Sequence, residues 1–211
     1  MNLRELNLKK TEEDLKKSVT KDVFIIQAIH TVDLLIIEIN KLVSNLRERY
    51  GYYNPKSARI QDQEELIKEV KKFSKGVLGV DYSMEDKNSI MDLIKIIEEV
   101  SLLRNVQEIY IEKLMKQCCP NLLFAAGTLI GARLISIAGS MKNLAEMPSS
   151  RVQILGAEKS LFKHLRTGNN PPKFGVIFSH ESIAKSDNRG KAARQLASKI
   201  SIAVKKDYFS K

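Results

Sequence analysis

Apolar side chains recur at Ile25, Ile29, Val32, Ile36, Ile39, Val43, Leu46 and Tyr50, in steps that alternate between four and three. That is the heptad period, which keeps one stripe of an α-helix apolar along its length. Ala28, Leu35 and Leu42 add a second stripe beside the first, so this helix is expected to touch more than one other helix. It starts near Thr20 and closes at Gly51 and Pro55. About thirty residues at 1.5 Å each extend about 45 Å.

A second long helix is expected from near Ser83 to Pro120, with Leu93, Ile96, Val100, Leu103, Gln107, Tyr110 and Leu114 as its stripe. Ser83 followed by Asp86 resembles an N-terminal cap with an acidic first turn. Gln107 in the stripe is expected to set register, as a buried polar residue does in coiled coils. The two helices should form an antiparallel coiled-coil hairpin. A short amphipathic segment at about 57–75, carrying Ile60, Leu66, Ile67, Val70 and Phe73, should cap its tip, followed by a loop at Gly76 and Gly79. The heptad residues Ile25, Ile29, Val32, Ile36, Ile39, Val43 and Leu46 are the candidate self-association surface.

After Pro120 the helical segments shorten. Breaks fall at Gly139-Ser140, at Pro148 to Ser150, at Thr167 to Pro172 and at Ser186 to Asn188. Gly175 to Phe178 has strand propensity but no partner strand, so it is expected as buried extended or helical chain. The last helix, Arg189 to Phe209, should bury Ala193, Leu196, Ala197, Ile200 and Val204. The expectation is an all-α chain with a coiled-coil domain at 1–119 and a compact basic helical domain at 120–211. Few Gly and Pro (10 and 5) agree with long helices.

Charge sharpens the division. Residues 1–115 hold 19 Lys+Arg and 20 Asp+Glu, whereas residues 116–211 hold 16 and 5. The whole excess, +10 over the chain, therefore lies in the C-terminal part. Such asymmetry points to a polyanion, nucleic acid before an anionic membrane surface. The apolar run 121–139 contains Arg133, and a charge at the centre of a span costs about 2.5–3.5 kcal/mol. It is read as closely packed helices, with no membrane partner.

Catalytic signals are lacking. Cys118 and Cys119 are adjacent, and His30, His164 and His180 are scattered, so neither a disulfide framework nor metal-ligand spacing emerges. No phosphate-loop or nucleophile-elbow motif occurs. The expectation is no enzyme, no cofactor and no metal.

The informative segment is 149–166, SSRVQILGAEKSLFKHLR. Ser149 or Ser150 is expected to cap a helix carrying Arg151, Lys159, Lys163 and Arg166. Lys159, Lys163 and Arg166 share one face, with Leu155, Phe162 and Leu165 facing the core. Glu158 is the one acid in the segment, and a cationic stripe of this kind suits RNA phosphates. His180, beside it in the basic domain, is a candidate for stacking on an unpaired base.

Gly156-Ala157-Glu158-Lys159 followed by Leu161-Phe162, placed after Gln153 and before the Pro171-Pro172 loop, together with the stretch from Gly131 to Tyr208, resembles the Nop domain. That domain occurs in box C/D ribonucleoprotein core proteins and in a related spliceosomal pre-mRNA processing factor. The wording around Arg133, Gly168 and Phe178 looks closest to the archaeal member. The resemblance implies a surface that recognises kink-turn guide RNA together with its bound ribosomal-protein-like protein, and a coiled coil that pairs with a second copy or a family paralogue. It adds Gln153, Gly156, Ala157, Arg189, Lys191 and Arg194 to Arg151, Lys159, Lys163, Arg166 and His180 as RNA-binding candidates. In gapless alignment the family's base-stacking histidine falls on Ser179, and Arg151 stands where a small hydroxyl residue is usual. Fibrillarin, a 2′-O-methyltransferase, binds a separate N-terminal domain in the family and is expected as a partner only where such a domain is present in the full protein. The resemblance places the protein in the cytoplasm if archaeal and in the nucleolus if eukaryotic. The expected role is an RNA-binding scaffold of a methylation-guide ribonucleoprotein. The alternative is a homodimeric coiled-coil protein whose basic domain binds nucleic acid nonspecifically.

Overall fold

A computed structural model describes residues 2–210. Among them every regular element is helical. The chain runs through α1 (Leu3–Ser18), α2 (Lys21–Tyr53), a 3-10 turn (Pro55–Arg59), α3 (Gln63–Lys72) and α4 (Met84–Cys118). It continues through α5 (Pro120–Ala126), α6 (Thr128–Ala138), α7 (Met141–Glu146), α8 (Ser149–Ile154) and α9 (Glu158–Thr167). A second 3-10 turn (Val176–Ser179), α10 (Glu181–Ala184) and α11 (Arg189–Phe209) complete it. By packing, the chain divides into one unit of Met1–His30 with Glu108–Lys211 and another of Thr31–Gln107. The ends of α2 and α4 nearest the termini thus pack with the C-terminal helices.

In the Thr31–Gln107 unit the core joins Ile39, Val43, Leu46, Tyr50 and Tyr53 of α2 to Leu66 and Val70 of α3 and Ile90, Ile94 and Ile97 of α4. Burying each such side chain contributes about 1.5–3 kcal/mol. The buried stripe of α4 is displaced by one residue from the expected one, since Ile96 and Leu103 are exposed. The reason lies in the sequence: α4 carries apolar residues nearly all round, so two overlapping heptad stripes fit, and only one faces the chain's own core.

Caps set the ends. The Ser83 hydroxyl accepts from the Asp86 amide, and the Asp86 carboxylate accepts in return from the Ser83 amide and hydroxyl, a reciprocal capping box. These bonds hold the Asp86 carboxyl below its ordinary pKa. Asp62 caps α3, which ends at Phe73 in the left-handed conformation, φ 49°. That backbone costs a side-chain-bearing residue roughly 1–2 kcal/mol. Edge and tilted contacts of Phe73 with Tyr50 and Tyr53, at 5.7 and 5.2 Å, offset it. The following loop is strapped down: Gly76 and Val80 amides donate to the Tyr53 and Tyr52 carbonyls, and the Tyr50 hydroxyl and Asn54 amide to the Ser74 carbonyl. A Cβ on Gly79 would lie 1.7 Å from the Tyr53 carbonyl oxygen, so only glycine fits.

In the other unit α11 is central and packs on α5, α7, α8 and α10. Its buried seam includes Ala193, Leu196, Ala197, Ile200, Ala203 and Val204, and the alanines let neighbouring backbones approach closely. The bounds and core face of α11 agree with the sequence expectation. The apolar run 121–139 is broken at Gly127, φ 74°, into α5 and α6, bent by 114°. No single described helix is long and apolar enough to cross a membrane. The root of α2 is tied in by Asp22, which accepts from the Met141 amide at 2.9 Å, and by a His30–Ser136 hydrogen bond of 2.8 Å.

Asp207, buried near the end of α11, accepts from the Asn121 amide and side chain and from the Leu122 amide at 2.6–3.1 Å. It therefore caps α5, whose own N-cap residue Cys119 does not cap the helix with its side chain. Asp207→Ala strands these donors and should destabilise the protein by about 1–3 kcal/mol, read as a lower urea midpoint, with Asp207→Asn intermediate.

Candidate nucleic-acid interface

The expected helix over 149–166 is two helices. Gly156 interrupts it in the left-handed region, φ 87°, where a Cβ would come within 2.4 Å of Val176 Cγ2. Beyond the break, Glu158 in the first turn of α9 folds back to accept from the Gly156 amide at 2.8 Å. The segment's only acid is thus tied to the turn that precedes the helix. Neither Ser149 nor Ser150 serves as the expected cap: Pro148 is the N-cap of α8, without a side-chain bond.

The break reorients α9. Of the three residues expected to face the core, Leu155 is buried, but Phe162 and Leu165 are 67 and 71 % exposed. No residue of α9 is buried. Sequence periodicity identified the apolar stripe correctly and its covering wrongly, because amphipathicity alone does not say whether the chain or a partner covers it. Lys159, Lys163 and Arg166 are exposed on the adjoining stripe. The apolar stripe borders a cleft of about 840 Å³ lined by Ile137, Met147, Arg151, Leu155, Leu161 and Phe162, among others.

Gln153 behaves differently from the cations. Its side-chain amide donates to the Lys173 carbonyl at 2.7 Å, and the Gly175 and Val176 amides donate to the Gln153 and Leu155 carbonyls. The loop after the prolines is therefore pinned to the α8–α9 connection. Gly175 is required there, since a Cβ would lie 1.9 Å from the Leu155 carbonyl oxygen. Ala157 is the N-cap of α9. Val176 to Ser179, expected as extended or helical chain, is a 3-10 turn. His180 is half-buried and caps α10, its Nδ1 accepting from the Ser182 amide at 3.2 Å. Ser179 is exposed and donates to the Val176 carbonyl. Arg189, Lys191 and Arg194 are exposed on the first turns of α11.

The structure groups these candidates. Gln153, Lys191 and Arg194 line one groove together with Lys173 and the Asn170–Pro172 turn, while Lys159, Lys163 and Arg166 share α9. Lys173, Phe174 and Phe178 were missed as site residues. Their signal was the Pro171-Pro172 pair, which fixes a rigid turn before them. The heptad residues Ile25, Ile29, Val32, Ile39, Val43 and Leu46 are buried in the chain itself and Ile36 is half-buried. The apolar side chains left in solvent on the long helices include Leu34, Ile37, Ile96, Leu102, Leu103 and Val106.

Residues 37–211 match the family profile described as Nop, snoRNA binding domain, fibrillarin. The chain belongs to the Nop family. It is 37 % identical over 217 residues to an uncharacterized NOP5 family protein of Methanocaldococcus jannaschii, covering 89 % of this chain and 52 % of that one. Human nucleolar protein 56 is 35 % identical over 222 residues, covering 90 % and 37 %, and nucleolar protein 58 of Neurospora crassa is 35 % identical over 216, covering 88 % and 36 %. This Nop chain therefore spans about half, or less, of the length of these relatives. Among solved structures, a chain of a fibrillarin/Nop5p complex matches it at a TM-score of 0.58 and 27 % identity, covering 98 % of this chain and 69 % of that one. The eukaryotic relatives are nucleolar by name.

Gly156→Ala should both strain the left-handed turn and collide with Val176. We expect a loss of about 2–3 kcal/mol by thermal unfolding, with shifted Val176 and Ile137 methyl resonances.

Proposed function

We propose that this Nop protein is a non-catalytic scaffold subunit of a box C/D-type 2′-O-methylation guide ribonucleoprotein. It reads kink-turn RNA together with the ribosomal-protein-like protein already bound there. The observation that carries this reading is α9. A short helix with no buried residue holds a cationic stripe against an exposed apolar stripe, and that pairing suits a composite target. Phosphates meet Lys159, Lys163 and Arg166. A protein surface covers Phe162, Leu165 and the adjoining cleft. Arg151 stands at the rim of that cleft. The family's description as snoRNA binding and the names of the relatives support the same reading. Fibrillarin, named in the solved complex, joins the assembly where an N-terminal domain accompanies this chain. The proposed compartment is the nucleolus for a eukaryotic source and the cytoplasm for an archaeal one.

The test is a gel shift on kink-turn RNA with and without the kink-turn-binding protein. A composite reader binds the RNA–protein complex well and the naked RNA poorly. A basic homodimer that binds nonspecifically shifts both alike, and that outcome would sink the proposal. Replacing Lys159, Lys163 and Arg166 together by Ala should reduce the salt slope of binding by about 0.7–0.9 per cation removed, with little change in base preference. Phe162→Ser should weaken binding only when the partner protein is present.

Self-association as a coiled coil belongs to the same proposal, through the apolar side chains that the hairpin leaves in solvent. Leu34→Glu with Leu102→Glu should convert a sedimenting dimer to a folded monomer. Val43→Glu, which places a charge in the chain's own core, should unfold the hairpin instead. A wild-type chain that sediments as a monomer at high concentration refutes this part.

A further inference from the structure

The joint between α4 and α5 carries the chain's two cysteines, Cys118 and Cys119, which the RNA-binding surface does not use. The sequence around them sets their geometry. Pro120 disfavours the helical conformation for the residue before it, so α4 ends at Cys118 and Cys119 leaves the helix at φ −147°, ψ 61°. Two consecutive helical residues turn their side chains about 100° apart, and two extended ones point them to opposite faces. A helical residue followed by an extended one does neither, and here the two sulfurs lie 3.5 Å apart. Both are thiols, Cys118 half-buried and Cys119 wholly buried. The backbone of the joint is tied down. The Cys119 amide donates to the Met115 carbonyl and the Leu123 amide to the Cys119 carbonyl. Met115 and Leu122, one turn before and after Cys119, are buried.

We propose that Cys118 and Cys119 are a peroxide-responsive dithiol that closes reversibly into a disulfide ring between adjacent residues. Exposure sets the order of events. The Cys118 thiolate attacks hydrogen peroxide. An S–O bond forms, the O–O bond breaks, and the departing hydroxide takes up a proton as water. Cys118 is now oxidised to a sulfenic acid and the peroxide is reduced. Cys119 then attacks that sulfur: the S–S bond forms, the S–O bond breaks, and hydroxide leaves with the Cys119 proton as a second water. Closure brings the sulfurs to about 2.05 Å, a shift that the half-buried Cys118 side chain makes while Cys119 stays packed. Adjacent Cα atoms are about 3.8 Å apart, short of the roughly 4.4–6.8 Å that relaxed disulfides span. The ring is therefore strained and readily reduced, which suits a sensing disulfide rather than a structural one. Burial keeps Cys119 from the thiols of other chains, so oxidation stays within one molecule. The closed ring fixes the turn from α4 into α5, at the joint that Asp207 also holds through Asn121 and Leu122. The dithiol stands independently of the scaffold reading.

The test treats the whole chain with hydrogen peroxide, alkylates it under denaturing conditions and digests it with trypsin. The peptide Gln117–Arg133 holds both cysteines and no methionine, so its mass reports the thiols alone. In the wild type it should lose two hydrogens, take up neither an alkyl group nor dimedone, and regain both thiols with dithiothreitol. The chain should run as a single species on a non-reducing gel. Cys119→Ala should stop at the sulfenic acid, so that dimedone labels Cys118. Cys118→Ser, a change at the half-buried position, should leave the Cys119 thiol fully alkylated after peroxide. Two alkylated thiols in the peroxide-treated wild type overturn the proposal. So does a disulfide between chains, a wild-type Cys118 carried on to sulfinic acid, or oxidation of Cys119 in the Cys118→Ser variant. The wild-type masses decide the matter even where Cys119→Ala, a change in the core, fails to fold.

Discussion

The small-residue seam of α11 is the contact on which the basic unit depends. Ala193, Ala197 and Ala203, set among Leu196, Ile200 and Val204, allow α5, α7, α8 and α10 to approach one helix closely. Each of those helices is too short to be stable alone in water, so their order comes from burial against α11. Asp207 extends the same dependence to the start of α5 through buried, charge-assisted bonds. The cations of α11 occupy the faces that the seam does not use. One helix therefore orders the unit and charges its surface.

The sequence was most legible where one helix has one buried face. The limits and interior of α11 follow from its amphipathic spacing, and the Ser83–Asp86 cap from two residues three apart. Legibility fails in α4 for a physical reason: Ile94 and Ile97 make as good a heptad as Leu93 and Ile96, and the choice between them is made by α2 and α3 packing alongside. It fails again at α9. Phe162 and Leu165 have the spacing of core residues, yet Gly156 takes a left-handed turn that leaves them in solvent. A side chain at position 156 would collide with Val176, twenty residues on, and no local rule contains that contact. The candidate site was half legible. Lys159, Lys163 and Arg166 were named from their charge and spacing and Arg189, Lys191 and Arg194 from the family resemblance, whereas Lys173, Phe174 and Phe178 required the Pro171-Pro172 turn and its attachment to Gln153.

The two exposed apolar regions and the two basic ones divide the molecule's work. On the Thr31–Gln107 unit the unpaired apolar side chains of the long helices suit another helix. On the other unit the cationic stripe of α9 and the groove beside α11 suit phosphates, and the apolar stripe of α9 suits a protein. Adjoining cationic and apolar stripes on one helix favour a target offering both chemistries over a target offering either alone. In the proposed function, selectivity comes from the pairing of surfaces rather than from base-edge contacts, consistent with phosphates carrying no sequence information.

The strapped loop after α3 separates exposure from motion. Val77 and Leu78 are almost wholly in solvent, yet the backbone around them is bonded to the end of α2 through Gly76 and Val80. An amide held in this way exchanges with solvent only when the underlying structure opens. The Gly76 and Val80 amides should therefore exchange on the timescale at which the end of α2 frays, not on that of a free loop. A protease, which needs an extended and locally unfolded segment, meets the same barrier. The tip can present bare aliphatic side chains over long times without the backbone around them becoming a point of cleavage.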